Sequence, residues 1–173
     1  NVVFDGLEIR WFGRAGIYMT DSPGVTVKNC RISNNFWMGW PVGSGVFAFR
    51  SPGFTGHGNL IFAIEQGIYL LKSPNSRITH NTILKNMYGA VHFTFSAEGS
   101  ISRNNSFCFS GNDQYVVSTQ KAEEFETFSS DYNNLGTVLR KPEPGDKIEV
   151  TQQVLRVGSK AVISLNGKRY NSL

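Results

Sequence analysis

Apolar and polar residues alternate along this chain in short runs: "GIYMT" then "VTVKN", "GVFAF" then "NLIFAI", "GIYLL" then "RITHNTIL". Period-two alternation over four to six residues, punctuated by Ser-Pro, Gly and Asn, predicts short strands joined by tight turns. No window carries helical spacing over ten residues with caps at its ends. The elements are therefore all β.

The runs also recur. Ser22-Pro23, Ser51-Pro52 and Ser73-Pro74 mark equivalent places, with Ser96-Ala97 as a degraded fourth, and the Ser spacings are 29, 22 and 23. Tyr18, Phe47, Tyr69 and His92 stand four residues before these serines, and Cys30, Asn59, Asn81 and Asn104 stand eight after. Ile32, Ile61 and Ile83 follow two residues later, with Phe107 as the next equivalent after a one-residue slip. Gly16, Gly45, Gly67 and Gly89 open the units. A unit this short cannot bury an apolar face alone, but it can stack on its neighbour at about 4.8 Å, as in a β-solenoid. The expected inward pairs are Ile17/Met19, Val46/Ala48, Ile68/Leu70 and Val91/Phe93, with Ile32, Ile61 and Ile83 continuing the core. Asn59, Asn81 and Asn104 are expected to stack as an amide ladder at a turn.

"GIYMTDSPGVTVKNCRISNN" and "GIYLLKSPNSRITHNTILKN" resemble the right-handed parallel β-helix repeats of the pectin-lyase-like superfamily, over roughly residues 1–135. The resemblance implies an all-β, right-handed, single-stranded parallel β-helix of about five coils. It also implies the activities found among such proteins: polysaccharide lyases, glycoside hydrolases and uronan epimerases, beside adhesins, phage tailspikes and copper-site maturation proteins. Most are secreted, periplasmic or displayed at the cell surface. "SSDYNNLG" resembles the motif that ends the helical part of many bacterial members. Residues 1–139 are accordingly assigned to coils. Beyond the Pro/Gly/charge break "RKPEPGDKIEV", residues 140–173 alternate like a short antiparallel β appendage or end cover.

Composition changes this picture little. The formal charge of +4, from 17 Lys and Arg against 13 Asp and Glu, suits an acidic polymer. The basic residues are scattered, which argues against nucleic acid as a partner. No apolar run of 18 residues or signal peptide appears, so membrane insertion is not expected. The chain opens inside an alternating strand without Met, and is expected to be a piece of a longer one whose other parts are further partners. Cys30 and Cys108 lie about three coils apart, roughly 14 Å along the axis. That is too far for a disulfide, so both should be free, buried thiols.

In the resembled enzymes the substrate lies along one outer face. Here the outward row Tyr18, Phe47, Tyr69, His92 could hold sugar rings by their apolar faces, with Trp37, Met38 and Trp40 either a lip over that face or buried packing. The same rings could instead pack under protein and bind nothing. A lyase or epimerase acting on a uronate needs a base for the C5 proton, a cation for the carboxylate and a proton donor. His92 as base, Arg50 or Lys72 as clamp and Tyr69 as donor would meet that list. His57 and His80 read as turn residues. A hydrolase needs two carboxylates within roughly 5–9.5 Å, whereas Asp21, Glu65, Glu98 and Asp113 fall in different slots. No cofactor is expected. "SGNDQ" (Ser110–Gln114) is the one hint of a Ca2+ site, and a plain turn explains it better. Asn104-Asn105-Ser106 matches a glycosylation sequon, which a ladder turn also explains. Two readings without catalysis stand beside the enzyme: a carbohydrate-binding or surface β-helix, and a structural segment of a larger assembly.

Overall fold

In the computed structural model of the chain the described residues are 1–35, 43–108, 115–119, 124, 126–135, 153–157, 160–165 and 168–170. Their strands form three sheets. Sheet A holds β1 (Val3–Asp5), β4 (Thr26–Lys28), β7 (Thr55–His57), β10 (Arg77–Thr79), β13 (Ile101–Arg103) and β16 (Ser129–Asp131), in that spatial order. Sheet B stacks β2 (Glu8–Arg10), β5 (Arg31–Ser33), β8 (Leu60–Phe62), β11 (Thr82–Leu84), β14 (Ser106–Cys108) and β17 (Asn134–Leu135). Sheet C stacks the longer β3 (Ala15–Thr20), β6 (Ser44–Phe49), β9 (Gln66–Leu71), β12 (Gly89–Thr94) and β15 (Tyr115–Thr119). The chain visits A, B and C in rotation, and each of these strands pairs in parallel with its counterpart one coil away. β18 (Gln153–Val157) adds to β15 in parallel, after which β19 (Lys160–Leu165) and β20 (Lys168–Tyr170) fold back antiparallel.

Inside the shaft like lies over like. Ile9, Ile32, Ile61, Ile83 and Phe107 are consecutive register partners in sheet B. Ile17, Val46, Ile68 and Val91 do the same in sheet C, beside Met19, Ala48, Leu70 and Phe93. All but the terminal Ile9 are buried, and full burial of each such aliphatic or aromatic side chain is worth about 1.5–3 kcal/mol.

The corners explain the turn residues. After each sheet-A strand one residue takes a left-handed φ: Gly6, Asn29, Gly58, His80, Asn104 and Tyr132, between 52° and 66°. Gly and Asn suit this conformation, and Asn is several-fold enriched there. The next residue opens the ladder. Asn59 Oδ1 accepts from the Cys30 N–H at 2.9 Å, and Asn81 Oδ1 accepts from both the N–H and Nδ2 of Asn59 at 3.0 and 2.9 Å. Asn105, not Asn104, continues the row, bonding Asn81 on one side and Asn133 on the other.

The displacement has a local cause. Ser73-Pro74-Asn75-Ser76 becomes Ser96-Ala97-Glu98-Gly99-Ser100 in the next coil, one residue longer. Ser76 N–H still bonds Ser100 Oγ at 2.9 Å, so everything downstream shifts by one. The serines of the Ser-Pro anchors form a ladder of their own: Ser22, Ser51 and Ser73 each donate a backbone N–H to the next serine's hydroxyl at 2.8–3.1 Å.

One glycine place also differs from expectation. Gly16, Gly45 and Gly67 form a row, but Gly89 pairs with Gln66, and Ala90 takes the fourth place. The row needs small residues because the coils close tightly here. A Cβ on Gly67 would lie 2.2 Å from the Ala90 carbonyl oxygen and 2.5 Å from an Ile83 methyl.

Candidate functional site

The outer face of sheet C carries the expected ring row. Tyr18, Phe47, Tyr69 and His92 are register partners in four successive coils. Tyr18 stacks on Phe47 with centroids 5.1 Å apart, Phe47 meets Tyr69 edge-on at 5.4 Å, and Tyr69 meets His92 edge-on at 5.8 Å. Parallel strands at fixed spacing force this contact, since like positions have nowhere else to go.

The rings are not equally available. Tyr18 is 54% exposed, but Phe47 is 3% and Tyr69 9% exposed, and His92 is half-buried. In this row the Tyr18 ring therefore lies open to solvent, whereas Phe47 and Tyr69 form its packed base. The strand starts are closed too: Ser44 and Gln66 are buried, and the buried Glu65 carboxylate accepts from the Gly43 N–H. Trp37, Met38 and Trp40, the expected lip, lie outside the described residues.

Toward the strand ends the face opens. Thr20 is exposed, and Phe49, Leu71 and Thr94 are half-buried. Beyond them Asp21, Arg50, Lys72 and Phe95 occupy one corner slot in consecutive coils, all with left-handed φ between 47° and 51°. The backbone there is tied coil to coil: the N–H groups of Asp21, Arg50 and Lys72 donate to the carbonyls of Phe49, Leu71 and Thr94 at 2.9–3.0 Å. Arg50 pairs with Asp21 at 2.5 Å and lies over the Phe49 ring at 4.5 Å. The hydrogen bond from Arg50 holds the Asp21 carboxyl below its ordinary value.

Lys72 and Arg50 thus share a row, and so do Tyr69 and His92, but the two rows stand three residues apart along the strands, or about 10 Å. The four candidate catalytic residues do not lie in one row. Instead Lys72 lines a cleft of about 350 Å³ with Pro74, Phe95, Glu98 and Glu124. Glu98 and Glu124 are 26 residues apart and share no repeat slot, so spacing along the sequence could not bring them together. The extra residue in the 96–100 turn was the available signal, because an inserted residue displaces its corner from the common contour.

Cys30 is free and buried in the amide-ladder slot, its thiol 3.2 Å from the Lys28 carbonyl. The Cys108 side chain and the Ser110–Gln114 segment lie outside the described residues. Among the described residues no three His, Cys, Asp or Glu side chains gather as metal ligands do, and no helix is long and apolar enough to cross a membrane.

The family model described as a right handed beta helix region matches residues 1–123. The chain belongs to the right-handed β-helix family. No curated protein and no solved structure matches it. Membership in this family fits a carbohydrate-active or surface β-helix protein.

Proposed function

We propose that this right-handed β-helix binds an acidic polysaccharide along the open edge of sheet C, outside the cell or at its surface. The observation that carries the reading is the band formed by Tyr18, Phe49 and Leu71 beside the corner row of Arg50 and Lys72. Aromatic and aliphatic surface suits the apolar face of a pyranose, and a guanidinium or ammonium suits its carboxylate. Binding should be measured with polygalacturonate at low salt, where exposed charges are least screened. Tyr18→Ser and Lys72→Ala should each weaken it several-fold, since loss of one exposed contact costs about 0.5–1 kcal/mol. Unchanged affinity in both variants would refute the binding face.

A polysaccharide lyase or epimerase is the second reading, favoured by the cleft that Lys72, Glu98 and Glu124 line. There Lys72 would hold the uronate carboxylate while one glutamate took the C5 proton. In a lyase the electron pair then forms the C4–C5 double bond, and the C4 oxygen departs with a proton from the second acid. In an epimerase the proton returns to the opposite face of C5. An absorbance assay for unsaturated uronate ends on alginate, pectin and glycosaminoglycans tests the lyase, and solvent deuterium uptake at C5 tests the epimerase. A signal abolished by Glu98→Gln or Glu124→Gln would establish catalysis, and binding with neither signal leaves a non-catalytic protein.

A further inference from the structure

The corner row beside the open edge of sheet C does not carry one sign of charge. Coil by coil it is Asp21, Arg50, Lys72 and Phe95. Asp21 and Arg50 are bonded to each other at 2.5 Å, and Asp21 also accepts from the Thr20 hydroxyl at 3.3 Å. The charge of Arg50 is therefore already neutralised within the row. Lys72 is exposed and has no ion pair among the described residues. Past it, the cleft walls bring in the exposed Glu98 and the half-buried Glu124. Two cations stand among three carboxylates, so the chain's overall surplus of +4 lies outside this band.

This order of charges decides which acidic polysaccharide fits. Coils are about 4.8 Å apart, close to the length of one pyranose unit, so a glycan lying along the shaft sets about one sugar on each coil. A homopolyuronate would lay a carboxylate on every coil, one against Asp21 and another against Glu98 and Glu124. Like charges brought together in this way oppose binding and exclude a partner. A neutral sugar reverses the sign of those contacts, because carboxylate oxygens accept hydrogen bonds from its hydroxyls. Tyr18 and Phe95 supply ring surface toward the same two ends.

We infer that the sheet-C band selects a glycan whose uronates are isolated, with one carboxylate at Lys72 and neutral sugars at the Asp21 and Glu98 ends. The inference rests on the acidic-glycan reading of this band and adds to it the spacing of charge along the ligand. Asp21, Glu98 and Glu124 are then specificity-determining residues, which keep further uronates off the neighbouring coils. Lys72 supplies the attraction that a wholly neutral glycan would not use.

Three polymers of one length test this: polygalacturonate, the same polymer with half its carboxylates reduced at random to primary alcohols, and the fully reduced neutral polymer. Affinities of the whole chain are measured at one low ionic strength. The half-reduced polymer should bind roughly threefold to tenfold more tightly than either of the others, the scale of one or two exposed charge contacts. In Asp21→Asn/Glu98→Gln, polygalacturonate should gain affinity and come within about twofold of the half-reduced polymer. The melting temperature should change little, because both side chains are exposed and Asn tolerates the φ of 48° at position 21. Lys72→Ala should remove the advantage of the half-reduced polymer over the neutral one. If Tyr18→Ser weakens binding but polygalacturonate binds as tightly as the half-reduced polymer, the sheet-C band stands and the charge-spacing inference falls. A neutral polymer that matches the half-reduced one, or a preference kept in full by the double variant, would overturn it as well. Binding of none of the three would remove the acidic-glycan reading and the inference with it.

Discussion

At the scale of single residues, the ladder amides are the positions where one atom group holds two coils. Asn105 bonds Asn81, Asn133, Ser102 and the Ile78 carbonyl while buried. Removing its amide leaves buried donors and acceptors without partners, at about 1–3 kcal/mol. Asn105→Ala should therefore lower the melting temperature clearly. Asn104→Gly, one residue earlier in an exposed left-handed corner, should change stability by no more than about 0.5 kcal/mol. The contrast, read by thermal unfolding, checks which asparagine occupies the ladder. The exposed Asp21–Arg50 pair supports a prediction of sign. Because Arg50 lowers the Asp21 pKa, the stabilisation it gives is present above the ordinary carboxylate value and disappears as pH falls through the lowered one. In Arg50→Gln the Asp21 carboxyl should titrate at higher pH by NMR than in the parent.

At the scale of elements, much was legible because stacked strands repeat their own pattern. Tyr18, Phe47, Tyr69 and His92 share a row because they stand four residues before equivalent serines. Ile32, Ile61 and Ile83 share another for the same reason. Legibility failed where coil length changes, since counting from Ser96 does not see the added residue at 97–100 and so picks Asn104. It also failed for burial: alternation tells which way Phe47 and Tyr69 point, but not whether that outer face is open to water. The Lys72 cleft is not legible from spacing because its two carboxylates, Glu98 and Glu124, come from unlike slots. The tight row of glycines gives the prediction proper to this scale. Gly67→Ala should cost about 1–3 kcal/mol through overpacking against the Ala90 backbone. Gly13→Ala, where an added Cβ meets nothing within 4 Å, should be close to neutral.

At the scale of the whole molecule, the shaft turns sequence spacing into distance along an axis, and the candidate glycan face follows from that conversion. Sheet C offers a packed aromatic base opening onto Arg50 and Lys72. That surface exists only if successive coils stack in parallel with Ile32 over Ile61 over Ile83. A methyl–methyl NOE experiment on isoleucine-labelled protein reads this order directly. Ile61 should show strong cross-peaks to both Ile32 and Ile83, while Ile32 and Ile83, two coils or about 9.6 Å apart, should show a far weaker one. A strong Ile32–Ile83 cross-peak, or no cross-peak from Ile61 to either, would contradict the stacked arrangement.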